Sequence, residues 1–411
     1  MHAWGAGAQT MVRHGWLLLV VLALFAWGTG GASAAPPLAS EDLGVHSMLY
    51  LDHPFSAKEA MFREAAALGA STIRLDISLS GVFPEPNAPP DWSGVNQYML
   101  LARRYHLEVL ADLQATPYYM VACPSGTPDD ETYICPPSDP EQWGDLAGQI
   151  AAHTRGVIDD FEIINEPDGA WAFLGSPQQY ARILAASYDA IHAADPNARV
   201  ALGGLGNIGS GGKAWMDTML STPGEGASDK FDIANIHVRT PAAEAGAVVS
   251  RWLRYFAVKG FNGPLWVTET GYPADPFQQT DPAYQGGADA QARWLTTVIP
   301  AVIRAGAAKV FVTERDQQAG RYASEGVLQT SDPLTADPSY RRRQSFYAVR
   351  DLVTSGALVA ETTLQRLGGL NSPVAVGATR GVAAKPALAG IEEVVHRYVA
   401  ASRSPFHNRH P

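Results

Sequence analysis

Short apolar runs of four to eight residues alternate along this chain with longer stretches whose apolar positions recur every three or four residues. The first pattern suits strands buried on both faces, and the second suits helices with one buried side. Strands are predicted at Leu43 to Leu49, Thr72 to Leu79, Glu108 to Leu113, Asp160 to Ile164, Arg199 to Leu202, Asp232 to His237, Leu265 to Thr268 and Lys309 to Thr313. Between them, helical spacing covers Ala57 to Ala67, Gln97 to Tyr105, Gln142 to Ala152, Pro177 to Ala193 and Ala288 to Ala305, and Tyr340 to Val353 reads as the helix that closes the series. Strand and helix units repeated in this way predict an α/β chain folded as a (β/α)₈ TIM barrel. An open doubly wound sheet would carry a glycine-rich nucleotide loop after its first strand, and none stands there.

The flanks read differently. After Met11 come Arg13 and His14, an apolar run from Trp16 to Trp27, and Ala32-Ser33-Ala34 before Ala35-Pro36-Pro37. That is the order of a secretory leader, too short to cross a bilayer comfortably and ending at small residues. Residues 1–34 are therefore expected to be a signal peptide cleaved near Ala34, leaving a secreted protein with no stable membrane insertion. Residues 35–357 form the expected barrel, and residues 358–411 a C-terminal extension. Within the tail, Ser355 to Ala389 is rich in Gly, Ala and Thr, after which Ile391, Val394, Val395, Tyr398 and Val399 predict a short amphipathic helix.

Composition narrows the partners. With 46% hydrophobic and 17% charged residues the chain can bury a sizeable core, and its net charge of -11 argues against nucleic acid and anionic membranes. Cys123 and Cys135, the only cysteines, flank a loop rich in Pro, Gly and Asp. In an exported protein they are expected to pair, stabilising that loop by roughly 2–3 kcal/mol. The 11 histidines show no HExxH or paired spacing, so no metal site and no cofactor are expected. No internal repeat or separate sugar-binding module is visible, and a monomer is expected.

Two strands end in carboxylates. Phe161-Glu162-Ile163-Ile164-Asn165-Glu166 delivers an amide and a glutamate, and Leu265-Trp266-Val267-Thr268-Glu269 delivers a second glutamate. Barrel enzymes build their sites at the C-terminal ends of strands, so Glu166 after the fourth strand and Glu269 after the seventh would face each other across the mouth. A single glutamate at such a place is often only a helix-start carboxylate. A pair among aromatic residues is the equipment for glycosidic cleavage, one group protonating the leaving oxygen while the other attacks or activates water.

Asn165-Glu166-Pro167 and Trp266-Val267-Thr268-Glu269-Thr270-Gly271 resemble the marker strands of glycoside hydrolase clan A. Asn165-Glu166-Pro167-Asp168-Gly169, followed by Trp171 and then Tyr180 to Asp195, is similar to family 39 and family 5 members. The resemblance runs from about Leu43 to Val353. It implies a (β/α)₈ barrel, hydrolysis with retention of anomeric configuration, Glu166 as general acid/base and Glu269 as nucleophile. It also implies that Asn165 donates to the sugar hydroxyl beside the anomeric carbon, and that His237 stands near the nucleophile.

These roles set physical requirements. Glu166 should have a raised pKa, through burial and the charge of Glu269. Glu269 should stay ionised beside donors, and Arg74 in Ile73-Arg74-Leu75-Asp76 is the candidate, a salt bridge to Asp76 being its other use. The chain departs from the family where relatives often place a tyrosine two residues after the histidine, since Arg239 stands there. Either another group such as Tyr272 contacts the nucleophile, or Arg239 binds an unusual substrate group. Relatives also often place a tryptophan under the sugar on the eighth strand, where this chain reads Val312-Thr313-Glu314-Arg315. Tyr118, Tyr119, Trp171, Phe173 and Tyr272 are candidate walls for sugar rings, Trp171 and Tyr118 first.

The expectation is a secreted retaining glycosidase acting on a neutral, β-linked oligo- or polysaccharide. A transglycosylase with the same residues, and a catalytically silent carbohydrate-binding barrel suggested by the departures at Arg239 and Thr313, are the alternatives.

Overall fold

The structure, a computed structural model, describes residues 40–223, 229–276, 284–316, 322–330 and 340–355. Eight strands run parallel: β1 (Leu43–His46), β2 (Thr72–Ser78), β3 (Glu108–Gln114), β4 (Asp160–Ile163), β5 (Arg199–Leu202), β6 (Ala234–Val238), β7 (Leu265–Thr270) and β8 (Lys309–Thr313). Their order in the sheet is β5-β4-β3-β2-β1-β8-β7-β6. Isolated parallel bridges Ala201↔Ile233 and Leu205↔Ile236 join the two outer strands, and the Leu202 amide donates to Ile233 O at 2.9 Å. The result is a (β/α)₈ barrel, as the pattern predicts.

Helices α1 (Phe55–Leu68), α2 (Leu79–Val82), α3 (Ser93–Tyr105), α4 (Pro140–Thr154), α5 (Pro177–Ala194), α6 (Ser210–Leu220), α7 (Ala245–Val258) and α8 (Gly287–Arg304) lie between the strands. Local chemistry marks their ends. Ser176 and Gln179 form a reciprocal capping box at the start of α5 with Pro177 in its first turn, and Asp139 caps α4. Gly69 ends α1 at φ 92°, a left-handed conformation that costs glycine little.

Strand alternation divides the interior in two. Outward residues such as Ile73, Leu75 and Ile77 of β2 join the large core against the helices. Inside the barrel, Leu110, Ala201, Ile233, Trp266 and Phe311 form a separate apolar plug, with the Trp266 and Phe311 rings 5.8 Å apart. Gly44 makes room for it, since a Cβ there would come within 2.4 Å of the Phe311 ring. Above the plug the inward positions turn polar, with Arg74, Asp112, Glu162 and His237 all buried.

Most boundaries shift by a few residues, and two differences are larger in consequence. The first strand stops at His46 rather than Leu49, and the segment beginning at Tyr340 is not helical at first. Tyr340–Arg342 is a strand, β10, paired antiparallel with β9 (Leu328–Thr330), and the closing helix α9 covers 344–355. Side chains hold the ribbon there: Arg343 binds Asp316 through both terminal nitrogens and Gly326 O, and Arg342 binds Glu64. These partners are distant in sequence, so the local spacing misled. The expected leader and the C-terminal extension lie outside the described residues. Among the described residues no helix is long and apolar enough to cross a membrane.

Glu314, directly after β8, is 1% exposed, and neither of its carboxyl oxygens has a hydrogen-bond partner. Burial pushes its pKa up from 4.5 to about 8; Ser47 lowers it, the charge of Glu64 raises it and Arg315 lowers it. The unfolded chain releases this proton first, so stability is intact below about pH 4.5 and is lost as pH rises toward 8. Glu314→Gln should therefore leave thermal unfolding nearly unchanged at pH 4.5 and stabilise the fold by roughly 2 kcal/mol or more at pH 8. Melting curves of both proteins across that range check the sign.

Candidate active site

A cavity of about 1120 Å³ opens at the C-terminal ends of the strands, lined among others by Arg74, Asp76, Glu166, His237, Arg239 and Glu269. Two departures from regular strand geometry bring its carboxylates inward. In β7, register against β6 passes from Ile236↔Val267 to His237↔Glu269, a bulge that inserts Thr268. With strict alternation Thr268 and Glu269 would face opposite sides; the bulge lets both serve the interior. After β4, Ile164 and Glu166 take φ values of 62° and 41°, left-handed conformations that are strained for side chains of this kind. Pro167 adds strain by disfavouring the helical region for its predecessor.

A neighbouring loop makes this turn possible. Asp168 accepts from the amides of Gly206 and Asn207, each at 2.9 Å, tying the loop after β4 to the loop after β5. A Cβ at Gly204 would lie 2.1 Å from His237 Nε2, and one at Gly206 would lie 2.9 Å from the Glu166 carboxyl carbon. The run Gly203-Gly204-Leu205-Gly206 thus clears the space that the acid and the imidazole occupy.

Arg74 stands fully buried at the centre. Its Nε and Nη2 donate to the two oxygens of Glu162 at 2.7 and 2.9 Å, Nη1 donates to Glu269 Oε1 at 3.0 Å, and Nη2 also reaches Asp112 and Asn165. The expected donor to Glu269 is in place, and Asp76 takes none of these hydrogen bonds. Asp76 lines the cavity, and its pKa rises to about 7 by burial, against the pull of Arg74 and with the repulsion of Glu269 and Glu162.

Arg239 resolves the departure seen after the sixth strand. Its Nη2 donates to Glu269 Oε2 at 2.8 Å, so this guanidinium itself makes the second contact to the carboxylate. Glu325 accepts from Arg239 Nε at 3.0 and 3.1 Å and from Nη2 at 3.0 Å, and Tyr322 lies under the guanidinium at 4.8 Å. Burial pushes Glu269 up, but His237, His46, Arg239 and Arg74 together hold it well below the usual carboxylate range. His46 sits 3.6 Å from Glu269 Oε1, and burial lowers its pKa to about 3 against the opposing pull of Glu269.

Glu166 has a different environment. His237 Nδ1 lies 2.8 Å from Glu166 Oε1 and 3.7 Å from Glu269 Oε2. Thr268 Oγ1 donates to Asn235 and accepts from His237 Nε2, which leaves Nδ1 and Glu166 Oε1 to share one proton. Trp171 Nε1 donates to Glu166 Oε2. The expected upward pKa shift does not hold in the free protein. Burial pushes Glu166 up, but the hydrogen bond and charge of His237, helped by Arg239, leave it net below its ordinary value despite the repulsion of Glu269.

One oxygen of Glu166, one of Glu269 and a ring nitrogen of His237 all lie within 4.8 Å of one another. Such a trio can bridge a cation, yet both Glu269 oxygens already accept from guanidinium groups, which supply the positive charge that a metal would.

The remaining predicted residues divide. Asn165 lines the cavity, its Oδ1 held by Arg74. Tyr118 is 59% exposed but is not among the lining residues, and its hydroxyl donates to Glu85. Tyr272 packs against Tyr284 and Trp294 and accepts from the Gly286 amide, away from Glu269. Cys123 and Cys135 form the expected disulfide, with Cα atoms 5.0 Å apart, and Cys135 with its neighbours Tyr133 and Ile134 lines the cavity.

No family model matches the chain, and no curated protein matches it. Solved structures do. A family 39 glycoside hydrolase from the gut symbiont Bacteroides cellulosilyticus superposes with a TM-score of 0.57 at 18% identity over 78% of this chain, which spans 65% of that one. A GH39 β-xylosidase from Caulobacter crescentus gives 0.57 at 19% identity, over 77% of this chain and 72% of the other. GH5_18 from Streptomyces cattleya, in complex with Manβ1-4GlcNAc, gives 0.56 at 18%, over 76% and 80%. The fold is shared with glycoside hydrolases.

Several site residues escaped the sequence reading. His46, Asp112 and Glu325 lie in apolar runs or loops with no motif around them, Glu162 sits unremarked inside the strand that delivers Glu166, and the Gly203 to Gly206 run is the visible signal of a close approach. Replacing Arg239 by Met would leave Glu325 buried without its cation and should cost roughly 3–5 kcal/mol. The double change with Glu325→Leu should recover part of that loss. Denaturant unfolding of the two variants measures the coupling.

Proposed function

We propose that this protein is a retaining glycoside hydrolase acting on a neutral, β-linked oligo- or polysaccharide by double displacement. One observation carries the reading: two carboxylates at the barrel mouth have oxygens within 4.8 Å of each other, one held between two guanidinium groups and the other between an imidazole and an indole. Retaining enzymes need carboxyl groups about 5–5.5 Å apart, whereas inverting ones leave ~6.5–9.5 Å for a water.

Glu269, ionised between two guanidinium groups, attacks the anomeric carbon as the bond to the leaving oxygen breaks, and that oxygen takes the proton from Glu166. Water then attacks the glycosyl ester, giving its proton back to Glu166 and releasing Glu269. Two positive partners make Glu269 a weak base and a good leaving group, which favours the second step. Asn165, oriented by Arg74, has its amide nitrogen left for the hydroxyl beside the anomeric carbon. Tyr50, Tyr133 and Trp171, partly exposed and lining the cavity, suit the apolar faces of more than one sugar ring. The reading includes export: cleavage near Ala34, the Cys123–Cys135 bond and a protein that works as a monomer without cofactor.

Glu269→Ala should abolish turnover of an aryl β-glycoside that the native protein cleaves. Glu166→Ala should cost roughly 10²–10⁴-fold on substrates with poor leaving groups and much less on activated aryl ones. Proton NMR of the first product should show the β anomer. An inverted product, or Glu269→Ala with native turnover, refutes the mechanism, and products longer than the substrate would identify a transglycosylase.

A further inference from the structure

Trp171 is 68% exposed at the rim of the cavity, an unusual position for the largest apolar side chain. It is nonetheless held in a defined place, because its indole folds back five residues to donate to Glu166 Oε2. Gly169 permits the fold-back, since a Cβ there would lie 2.4 Å from the indole ring. The other oxygen, Oε1, faces His237, which is 2% exposed and fixed in turn by Thr268. Both oxygens of the acid are thus engaged in the free protein, one by a buried partner and one by an exposed partner with room to move.

A general acid must present a protonated oxygen to the glycosidic oxygen. The groups facing Glu166 are His237 on β6, Arg239 just after it, Glu269 on β7 and Asp168 on its own loop. Oε1 is held by the buried His237, whereas Oε2 is covered by the exposed Trp171. We propose that Trp171 is a displaceable cap on Glu166: a sugar ring entering on the leaving-group side takes the indole off Oε2 and stacks on it, and Oε2 takes up a solvated proton (hydronium, leaving water) from bulk solvent as it is uncovered and offers that proton to the glycosidic oxygen. The proposal rests on the glycosidase reading above. Binding then removes one donor from the carboxylate and covers the group from water, and both changes raise the pKa of Glu166 toward that of a working acid.

The test combines NMR and kinetics. In nitrogen-15-labelled protein, the Trp171 indole resonance, assigned with Trp171→Phe, should move as Glu166 titrates and should not titrate in Glu166→Gln. Adding β-1,4-linked xylotetraose, cellotetraose or mannotetraose should shift the same resonance. Trp171→Phe keeps a ring but loses the donor, so the basic limb of kcat/KM should move up by about 0.7 pH unit. Trp171→Ala should move that limb equally and raise KM for oligosaccharides about tenfold. A Trp171→Phe profile that superposes on the native one, or an indole that ignores Glu166→Gln, overturns the cap. An indole that titrates with Glu166 but is moved by none of the three sugars overturns displacement. A native protein that cleaves no glycoside while its indole titrates with Glu166 overturns the glycosidase reading and supports the contact between Trp171 and Glu166.

Discussion

The polar half of the barrel depends on one buried guanidinium. From β2, Arg74 reaches Asp112 on β3, Glu162 and Asn165 on and just after β4, and Glu269 on β7, so a single side chain ties four strands together at the mouth. Its desolvation would be prohibitive if any of these acceptors were missing. The carboxylates outnumber it, and burial together with their mutual repulsion raises the pKa values of Asp112 and Asp76 against the pull of Arg74. The apolar plug beneath supports this layer and keeps water from below.

The same network separates the two glutamates chemically. Glu269 touches both Arg74 and Arg239 and is ionised; Glu166 touches neither and faces an imidazole and an indole. Arg239 would be a liability in this interior without Glu325, which neutralises it and turns its remaining donor toward Glu269. An ion pair in place of a neutral hydroxyl stands beside this carboxylate, so the environment of Glu269 is set by two full positive charges.

Strain and room are matched around Glu166. Its φ of 41° and that of Ile164 at 62° have a cost, and they persist because Asp168 anchors the loop and the glycines after β5 remove the side chains that would collide. The aromatic rim sits above this rigid base, and the disulfide loop brings Tyr133 to it.

Much of this was legible in the chain itself. Short apolar runs marked the strands of the barrel and three-to-four residue spacing marked helices between them, because burial on one or both faces is a local property written into consecutive residues, and the ends of the fourth and seventh strands marked Glu166 and Glu269. Tyr340 to Arg342 was misread because its partners lie elsewhere in the sequence. What the tertiary structure alone decided is the pairing: the bulge that turns Glu269 inward, the 86-residue reach from Arg239 to Glu325, and the removal of Tyr272 and Tyr118 from the cavity. Such pairings depend on which strand ends meet in space and on the need to satisfy buried charge, and neither leaves a period in the sequence.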